Sequence, residues 1–282
     1  MSRIAVIDIG SNSVRYMEAE RTETGVLSLS KELNTTRLAE GQDAQRTLMP
    51  EPMRRTADAV LAYAVRAKAD HIPVYAYATS ALREASNRDA FLSLLGDAVP
   101  VTVLSGAEEG RMAYSGATGG NGTLIDIGGG SFQIVTSSTA FSAPIGCVRL
   151  KDRIPEGSPE ELYAVLRPWA DTFFTEAISA QAPITGVGGT ITTLGALLLG
   201  QTKFDGAALK NAAITPENLK ELLADLYAMG ERRKAHPLLN KRHNVILQGG
   251  TILRYLMERL RLASVTPCDR DGMEGFALYE IR

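Results

Sequence analysis

Two short segments of this chain carry the residue types an anion cradle needs. Val6-Ile7-Asp8-Ile9 runs into Gly10-Ser11-Asn12-Ser13, and far downstream Leu124-Ile125-Asp126-Ile127 runs into Gly128-Gly129-Gly130-Ser131. In each, an apolar run with one aspartate empties into small residues closed by serine, the pattern of a buried strand ending in a tight turn. Small turn residues let a phosphoryl oxygen approach backbone N–H groups, and a strand-end aspartate can hold a hydrated cation. The doubling predicts a duplicated α/β scaffold with one hairpin per half, gripping a phosphate chain in a cleft between two lobes.

A third segment offers an acid–base group. Ser105-Gly106-Ala107-Glu108-Glu109 stands where a predicted strand feeds a predicted helix. Ser105 with Glu108 three residues on matches a capping box, so Glu108 is expected to satisfy the backbone at the helix start. Glu109 cannot serve that reciprocal cap and is left to point elsewhere. A carboxylate near a helix N-terminus tends to stay ionised, which suits a general base facing water.

The elements around these segments follow one grammar twice. In the first half, strands are predicted at 14–20 and 26–33 with Gly25 as the turn, and 35–49 reads as irregular. A helix opened by Pro52 carries Ala57, Val60, Leu61, Ala64 and Val65 at helical spacing. Then come a strand at 73–79, a short helix at 88–95, a strand at 100–104 and a helix from Gly106 to about residue 117. In the second half, strands are predicted at 123–127, 132–136 and 140–145, then a long helix over 159–179 and a strand at 184–187. Gly188-Gly189-Thr190 leads into a helix ending near Gly200, and further helices run over 216–229 and 241–262. Gly249-Gly250 inside the last is against helix propensity, and close backbone approach to a ligand or to another helix would explain it. The Gly-Ala-Thr-Gly-Gly-Asn-Gly stretch at 116–122 marks the expected boundary, giving lobes at 1–119 and 120–282.

Composition narrows the class. The 282 residues are 45% hydrophobic and 22% charged, as in an ordinary globular protein of one or two domains. A formal net charge of −2 argues against a general nucleic-acid binder. Cys147 and Cys268 share no metal-ligand spacing and read as free thiols in a reducing cytoplasm. No stretch is apolar over the roughly 20 residues that span a bilayer, so no membrane partner is expected. The basic residues Arg232, Arg233, Lys234, Lys241, Arg242 and His243 read as a solvated helix end and loop, and the three histidines as structural or surface groups.

Six ordered motifs carry a resemblance. They are Asp8-Ile-Gly-Ser-Asn-Ser13, Ala78-Thr-Ser-Ala-Leu-Arg83, Ser105-Gly-Ala-Glu-Glu-Gly-Arg111, Asp126-Ile-Gly-Gly-Gly-Ser131, Gly186-Val-Gly-Gly-Thr190 and Asp271-Gly-Met-Glu-Gly275. Across essentially the whole chain this resembles the exopolyphosphatase/guanosine pentaphosphate phosphatase family, in a short form without the C-terminal helical domain of larger relatives. The resemblance implies an α/β fold of two ribonuclease-H-like lobes, within the actin, hexokinase and heat-shock-ATPase superfamily. It implies that Glu109 activates water, that Asp8 and Asp126 hold Mg²⁺, and that the amides of Gly10, Ser11, Asn12 and Ser13 and of Gly128, Gly129, Gly130 and Ser131 cradle phosphoryl oxygens. Arg83 matches a basic residue at the phosphate entry, and Gly188, Gly189 and Thr190 the superfamily's nucleotide-side turn. The substrates implied are inorganic polyphosphate or guanosine pentaphosphate, with a homodimer plausible.

Two positions depart from the family. Gln133 stands two residues after the loop serine, where relatives usually carry a glutamate that helps bind metal. It keeps an acceptor oxygen but not the charge. Asn244 stands where relatives often carry aspartate. Three functions therefore compete: a phosphohydrolase using Glu109, an ATP-dependent small-molecule kinase of the same superfamily, and a catalytically weak sensor binding polyphosphate or a nucleotide. No acceptor-pocket insertion favours the kinase, and the hydrolase is the leading expectation.

Overall fold

A computed structural model of the chain describes residues 3–23, 25–42 and 45–280. The irregular stretch expected at 35–49 includes residues 43 and 44, which lie outside the described residues. The chain divides into two units, Met1–Gly116 with Gly272–Arg282, and Ala117–Asp271.

The first unit is built on β1 (Arg3–Ile9), β2 (Val14–Thr22), β3 (Gly25–Asn34), β4 (Val74–Ala78) and β5 (Val101–Val103), in the order β3-β2-β1-β4-β5. β1 pairs antiparallel with β2 and parallel with β4, and β4 pairs parallel with β5. An unbroken apolar run suits β1 because helices cover both faces of the sheet. Ala5, Ile7 and Ile9 face a core shared with Val60 and Phe91, of α1 (Pro50–Ala69) and α3 (Arg88–Leu95). Ile4 and Val6 face the opposite core with Tyr77 and Phe276. Fully burying each such isoleucine stabilises the fold by about 1.5–3 kcal/mol.

The second unit repeats the plan. Its strands β6 (Thr123–Ile127), β7 (Phe132–Val135), β8 (Ala140–Ala143), β9 (Ile184–Val187) and β10 (Thr266–Pro267) lie in the order β10-β9-β6-β7-β8. β6 pairs antiparallel with β7 and parallel with β9. Read outward from the central strand, the two sheets have the same order and the same strand senses, the ribonuclease-H-like arrangement expected of a duplicated scaffold.

The elements missed from sequence are short or end-on. α2 (Ser80–Arg83), α5 (Cys147–Arg153) and β10 have too few residues to show a period. The helix expected over 159–179 is α6 (Pro159–Asp171), which stops three residues past its internal Pro168. There the Thr172 hydroxyl donates to the Trp169 carbonyl at 2.7 Å, and Phe173, Phe174 and Thr175, of lower helix propensity, follow. α9 spans Ile246–Leu260 only, because 230–245 winds into 3₁₀ and other turns.

The C-terminal bound of the second lobe is corrected. α10 (Gly272–Glu280) packs on β1, β2 and β3, so residues from Gly272 belong with the first unit and not with 120–271. Phe276 stacks at a tilt on Tyr77 with 4.8 Å between ring centroids, and Glu274 pairs with Lys31 at 2.8 Å. The paired glycines of α9 are explained by close helix approach. A Cβ on Gly249 would lie 2.3 Å from Thr190 Oγ1 in α7 (Gly188–Leu198), and one on Gly250 2.4 Å from Leu223 in α8 (Pro216–Met229).

Candidate active site

The first unit gathers its chemistry at one edge of the sheet. The register sets Ile9 beside Ala78 and Ala78 beside Val103, so the parallel strands β1, β4 and β5 end together. Ligands of open α/β sheets bind outside such carboxyl ends. The segments leaving these strands are Gly10–Ser13, Thr79–Arg83 and Leu104–Glu109. They are stitched together by Thr79 N–H to Ile9 carbonyl at 3.3 Å and Leu104 N–H to Ala78 carbonyl at 2.9 Å.

Turn chemistry in the two halves matches atom for atom. The Gly10 N–H donates to the Ser13 carbonyl at 3.0 Å, and the Gly128 N–H to the Ser131 carbonyl at 2.9 Å. Other loop carbonyls are taken from behind. Arg37 and Ala39 donate N–H groups to Asn12 and Ser11, while Cys147 and Val148, at the start of α5, donate to Gly128 and Gly129. With carbonyls engaged on one side, the intervening amides are left for the other side, as an anion nest requires. The Ser11 hydroxyl does not serve that nest: it is buried against the Ser80 hydroxyl at 3.0 Å.

Ser105 and Glu108 close the capping box that the sequence predicts. The Glu108 carboxylate accepts the Ser105 N–H at 2.9 Å, and the Ser105 hydroxyl accepts the Glu108 N–H at 3.2 Å. Those bonds hold the Glu108 carboxyl below its ordinary range. Glu109, one residue on, turns to Arg83: the Arg83 Nη1 donates to Glu109 Oε2 at 3.0 Å and to the Leu104 carbonyl at 2.9 Å. The Glu109 side chain is only 16% exposed. Burial pushes its carboxyl up to about 7, against the lowering pull of Arg83; Asp8 adds to the rise and Arg15 opposes it. A carboxyl poised near neutrality is suited to taking a proton from water.

Arg15 is the residue that sequence reading missed in this unit. It stands directly across the β1–β2 ladder from Asp8, and its Nε and Nη2 both donate to Asp8 Oδ2, the Nε bond at 2.8 Å. The signal was present in the duplication. Asp8 opposite Arg15 corresponds to Asp126 opposite Gln133 in the second unit.

In the second unit β6 and β9 lie parallel with Asp126 beside Val187, which brings Gly188–Thr190 alongside the Gly128–Ser131 turn. Gly188 has φ of +86°, and a Cβ there would lie 2.6 Å from the Ile127 carbonyl oxygen and 2.8 Å from Asp126 Oδ1. Arg242, expected to be solvated, is half-buried instead, with its guanidinium against Gly189, where a Cβ would come within 1.8 Å of Nη2. Burial pushes the Cys147 thiol up, opposed by Arg242 and by a hydrogen bond with Thr190, which locates both beside it. A run of apolar and charged residues gives no hint that one arginine folds back onto a glycine turn. Of the neighbouring basic residues, Arg232 and Lys234 are exposed, Lys234 pairing with Glu231, while Arg233 is half-buried and donates to the Gly230 carbonyl at 3.0 Å.

The donors available to a divalent cation are uneven. Asp126 presents a carboxylate beside Gly188. Gln133, 1% exposed, donates its amide to the Ser131 hydroxyl at 2.9 Å and to the Ser142 hydroxyl at 3.4 Å. Asp8 is charge-matched by Arg15. Among the described residues no cluster of three or more His, Cys, Asp or Glu is poised for a metal. One carboxylate completed by phosphate oxygens and water is nevertheless the usual way Mg²⁺ is held, and Asp126 fits that role. Among the described residues no helix is long and apolar enough to cross a membrane.

Comparison with known proteins bears on the whole chain. Residues 5–281 match the model of the Ppx/GppA phosphatase family. The chain is 32% identical over 316 aligned residues to exopolyphosphatase 2 of Mycobacterium tuberculosis, covering 99% of this chain and 98% of that protein. It is 28% identical to the guanosine-5'-triphosphate,3'-diphosphate pyrophosphatase of Vibrio vulnificus, covering 98% of this chain and 59% of that one. The solved structure of the Aquifex aeolicus Ppx/GppA family member superimposes with a TM-score of 0.79 at 26% identity, covering 99% of this chain and 97% of that one.

Proposed function

Because the chain belongs to the Ppx/GppA phosphatase family and is a hydrolase of phosphoanhydride bonds, we propose that it releases terminal phosphate from inorganic polyphosphate or guanosine pentaphosphate, with Glu109 as general base. The observation that carries this reading is the Glu109 carboxyl, released from capping duty by Glu108, held by Arg83 and raised to about 7.

In this mechanism a water oxygen bonds to the terminal phosphorus as the bridging P–O bond breaks, and Glu109 takes the water proton. The shortened chain leaves as the new phosphate end, and Glu109 returns its proton to solvent. The amides of Gly10–Ser13, in the unit that carries Glu109, form a preorganised donor set suited to charge on phosphoryl oxygens, and the second unit has a donor set of the same design at Gly128–Ser131. Arg83 holds the base carboxylate in place. Arg242, beside the Gly188-Gly189 turn, adds positive charge for a polyanion. Mg²⁺, when bound through Asp126, would neutralise charge on the phosphoryl oxygens.

Phosphate release from polyphosphates of graded length and from guanosine pentaphosphate, comparing the natural chain with Glu109→Gln, tests the reading and ranks the substrates. Equal release by both proteins removes Glu109 from the mechanism. Gln133 favours one second reading, a catalytically weak sensor: it leaves Asp126 facing a neutral amide where relatives usually place a carboxylate. Tight polyphosphate binding without measurable release would establish that reading instead.

A further inference from the structure

Among the described residues, four other than glycine have left-handed φ: Arg37 at +52°, Arg46 at +61°, His71 at +57° and Arg261 at +54°. Helix ends explain two of them. His71 follows the C-cap of α1 and Arg261 caps α9, where a left-handed residue closes the last turn. Arg37 and Arg46 end no helix. Glycine or asparagine would take such angles at less steric cost, and strain of this kind gathers at ligand clamps.

Both arginines lie between β3 and α1, in a stretch sewn to the candidate site at two points. At one end the N–H groups of Arg37 and Ala39 donate to the Asn12 and Ser11 carbonyls of the first phosphate turn, at 2.9 and 3.1 Å. At the other, the Arg46 carbonyl accepts the Ser86 N–H at 3.3 Å, and Leu48 and Asn87 exchange hydrogen bonds at 2.9 and 3.0 Å. Ser86 stands just past Arg83, which holds Glu109. The two side chains remain 44% and 42% exposed. Among the described residues, the carboxylates beside them are shared. Glu40 is bonded by Arg55 at 2.9 Å and lies 4.0 Å from Arg37, while Glu84 lies 4.0 Å from both Arg46 and Arg83. A separation of 4.0 Å is too long for a hydrogen bond, which leaves guanidinium donors for a ligand.

We propose that Arg37 and Arg46 form a secondary anion subsite, which holds internal phosphates of inorganic polyphosphate while the terminal phosphate occupies the Gly10–Ser13 turn. The inference rests on the chain being a hydrolase of terminal phosphate, and adds the substrate class. In-line displacement sends the leaving chain away from the attacking water, and so away from the base. Arg83 meets Glu109 through Nη1 and Glu84 through Nη2, with Arg46 on the far side of Glu84, so this line of groups runs outward from Glu109. Long polyphosphate supplies further charges for such a subsite, whereas the 5′ chain of guanosine pentaphosphate soon meets its nucleoside. A guanidinium suits the task because its fork of donors matches phosphate oxygens. A merely solvated loop would show no preference for chain length.

The test measures binding of long-chain polyphosphate and of tripolyphosphate by calorimetry, over a range of salt concentrations, in the full chain carrying Glu109→Gln to suppress turnover. Arg37→Asn and Arg46→Asn are added singly and together, since asparagine tolerates the left-handed backbone and removes only the charge. The pair should raise Kd for long polyphosphate by about tenfold more than Kd for tripolyphosphate, and each single change by about threefold more. The dependence of log Kd on log salt should flatten by roughly one to two for the long chain. Arg37→Lys with Arg46→Lys should recover part of the loss. Equal loss for both ligands, an unchanged salt slope, or no recovery by lysine overturns the proposal. If the double variant fails to fold, the single variants decide by the same criteria. The two claims separate: a natural chain that binds no polyphosphate removes the proposed function and the subsite with it, whereas tight binding indifferent to both arginines removes the subsite alone.

Discussion

Replacing Glu109 by glutamine should move activity and stability in opposite directions. Glutamine keeps the size of the side chain and an oxygen that can still accept from Arg83 Nη1, now 3.0 Å from Glu109 Oε2. It cannot accept a proton from water, so kcat/KM should fall by roughly 10²–10⁴, or about 3–5 kcal/mol of transition-state stabilisation. Stability follows from linkage. The carboxyl is raised from 4.5 to about 7 in the folded protein, mainly by burial, so the folded state binds this proton more tightly than the unfolded chain. That contribution is fully present below pH 4.5 and is lost as pH climbs through about 7. At roughly 1.36 kcal/mol per unit the ionised group costs up to about 3 kcal/mol at pH 8, less whatever Arg83 loses with its anionic partner. Glu109→Gln should therefore be about 1–3 kcal/mol more stable than the natural chain at pH 8 and little different at pH 4.5. Urea denaturation at the two pH values, paired with phosphate-release kinetics, reads both quantities. A stability gap that does not widen with pH, or a variant retaining more than a tenth of the activity, would refute the reasoning.

Three further outcomes follow from individual contacts. Gly188→Ala places a side chain at φ of +86° and within 2.6 Å of the Ile127 carbonyl, and should cost about 2–4 kcal/mol in thermal or urea unfolding, with weaker polyphosphate binding. Ser11→Ala removes the buried hydroxyl bond to Ser80 and should cost about 1 kcal/mol while leaving KM nearly unchanged, because the loop offers amides, not this hydroxyl. Gln133→Glu sets a second carboxylate across from Asp126 and should lower the Mg²⁺ concentration for half-maximal rate by about tenfold; calorimetric Mg²⁺ titration unchanged from the natural chain would put residue 133 beyond the ion's influence.

Most of the scaffold was legible because it is written in long periods. β1 and β6 read as buried strands from apolar runs with a single aspartate each, and the capping-box spacing alone separates Glu108 from Glu109. What escaped notice depends on tertiary register. Nothing local in Val14-Arg15-Tyr16 says that the arginine reaches back to Asp8, since a hairpin closes that gap and only strand alternation sets which face it takes. Arg242 lies in a basic run with the exposed Arg232, Lys234 and Lys241, so composition pointed the wrong way for it. The four residues of α2 are too few for periodicity, although the same short turn aims Arg83 at both Leu104 and Glu109.

The return of α10 to the first unit imposes an order on synthesis. Residues 117–271 are contiguous and can collapse as soon as they leave the ribosome. The sheet that carries Asp8 must wait, with Ile4, Val6 and Tyr77 lacking Phe276, until residues 272–280 emerge. A nascent chain therefore exposes one greasy sheet face until that helix arrives. Chaperone capture, or premature termination just before Gly272, should act on that half first.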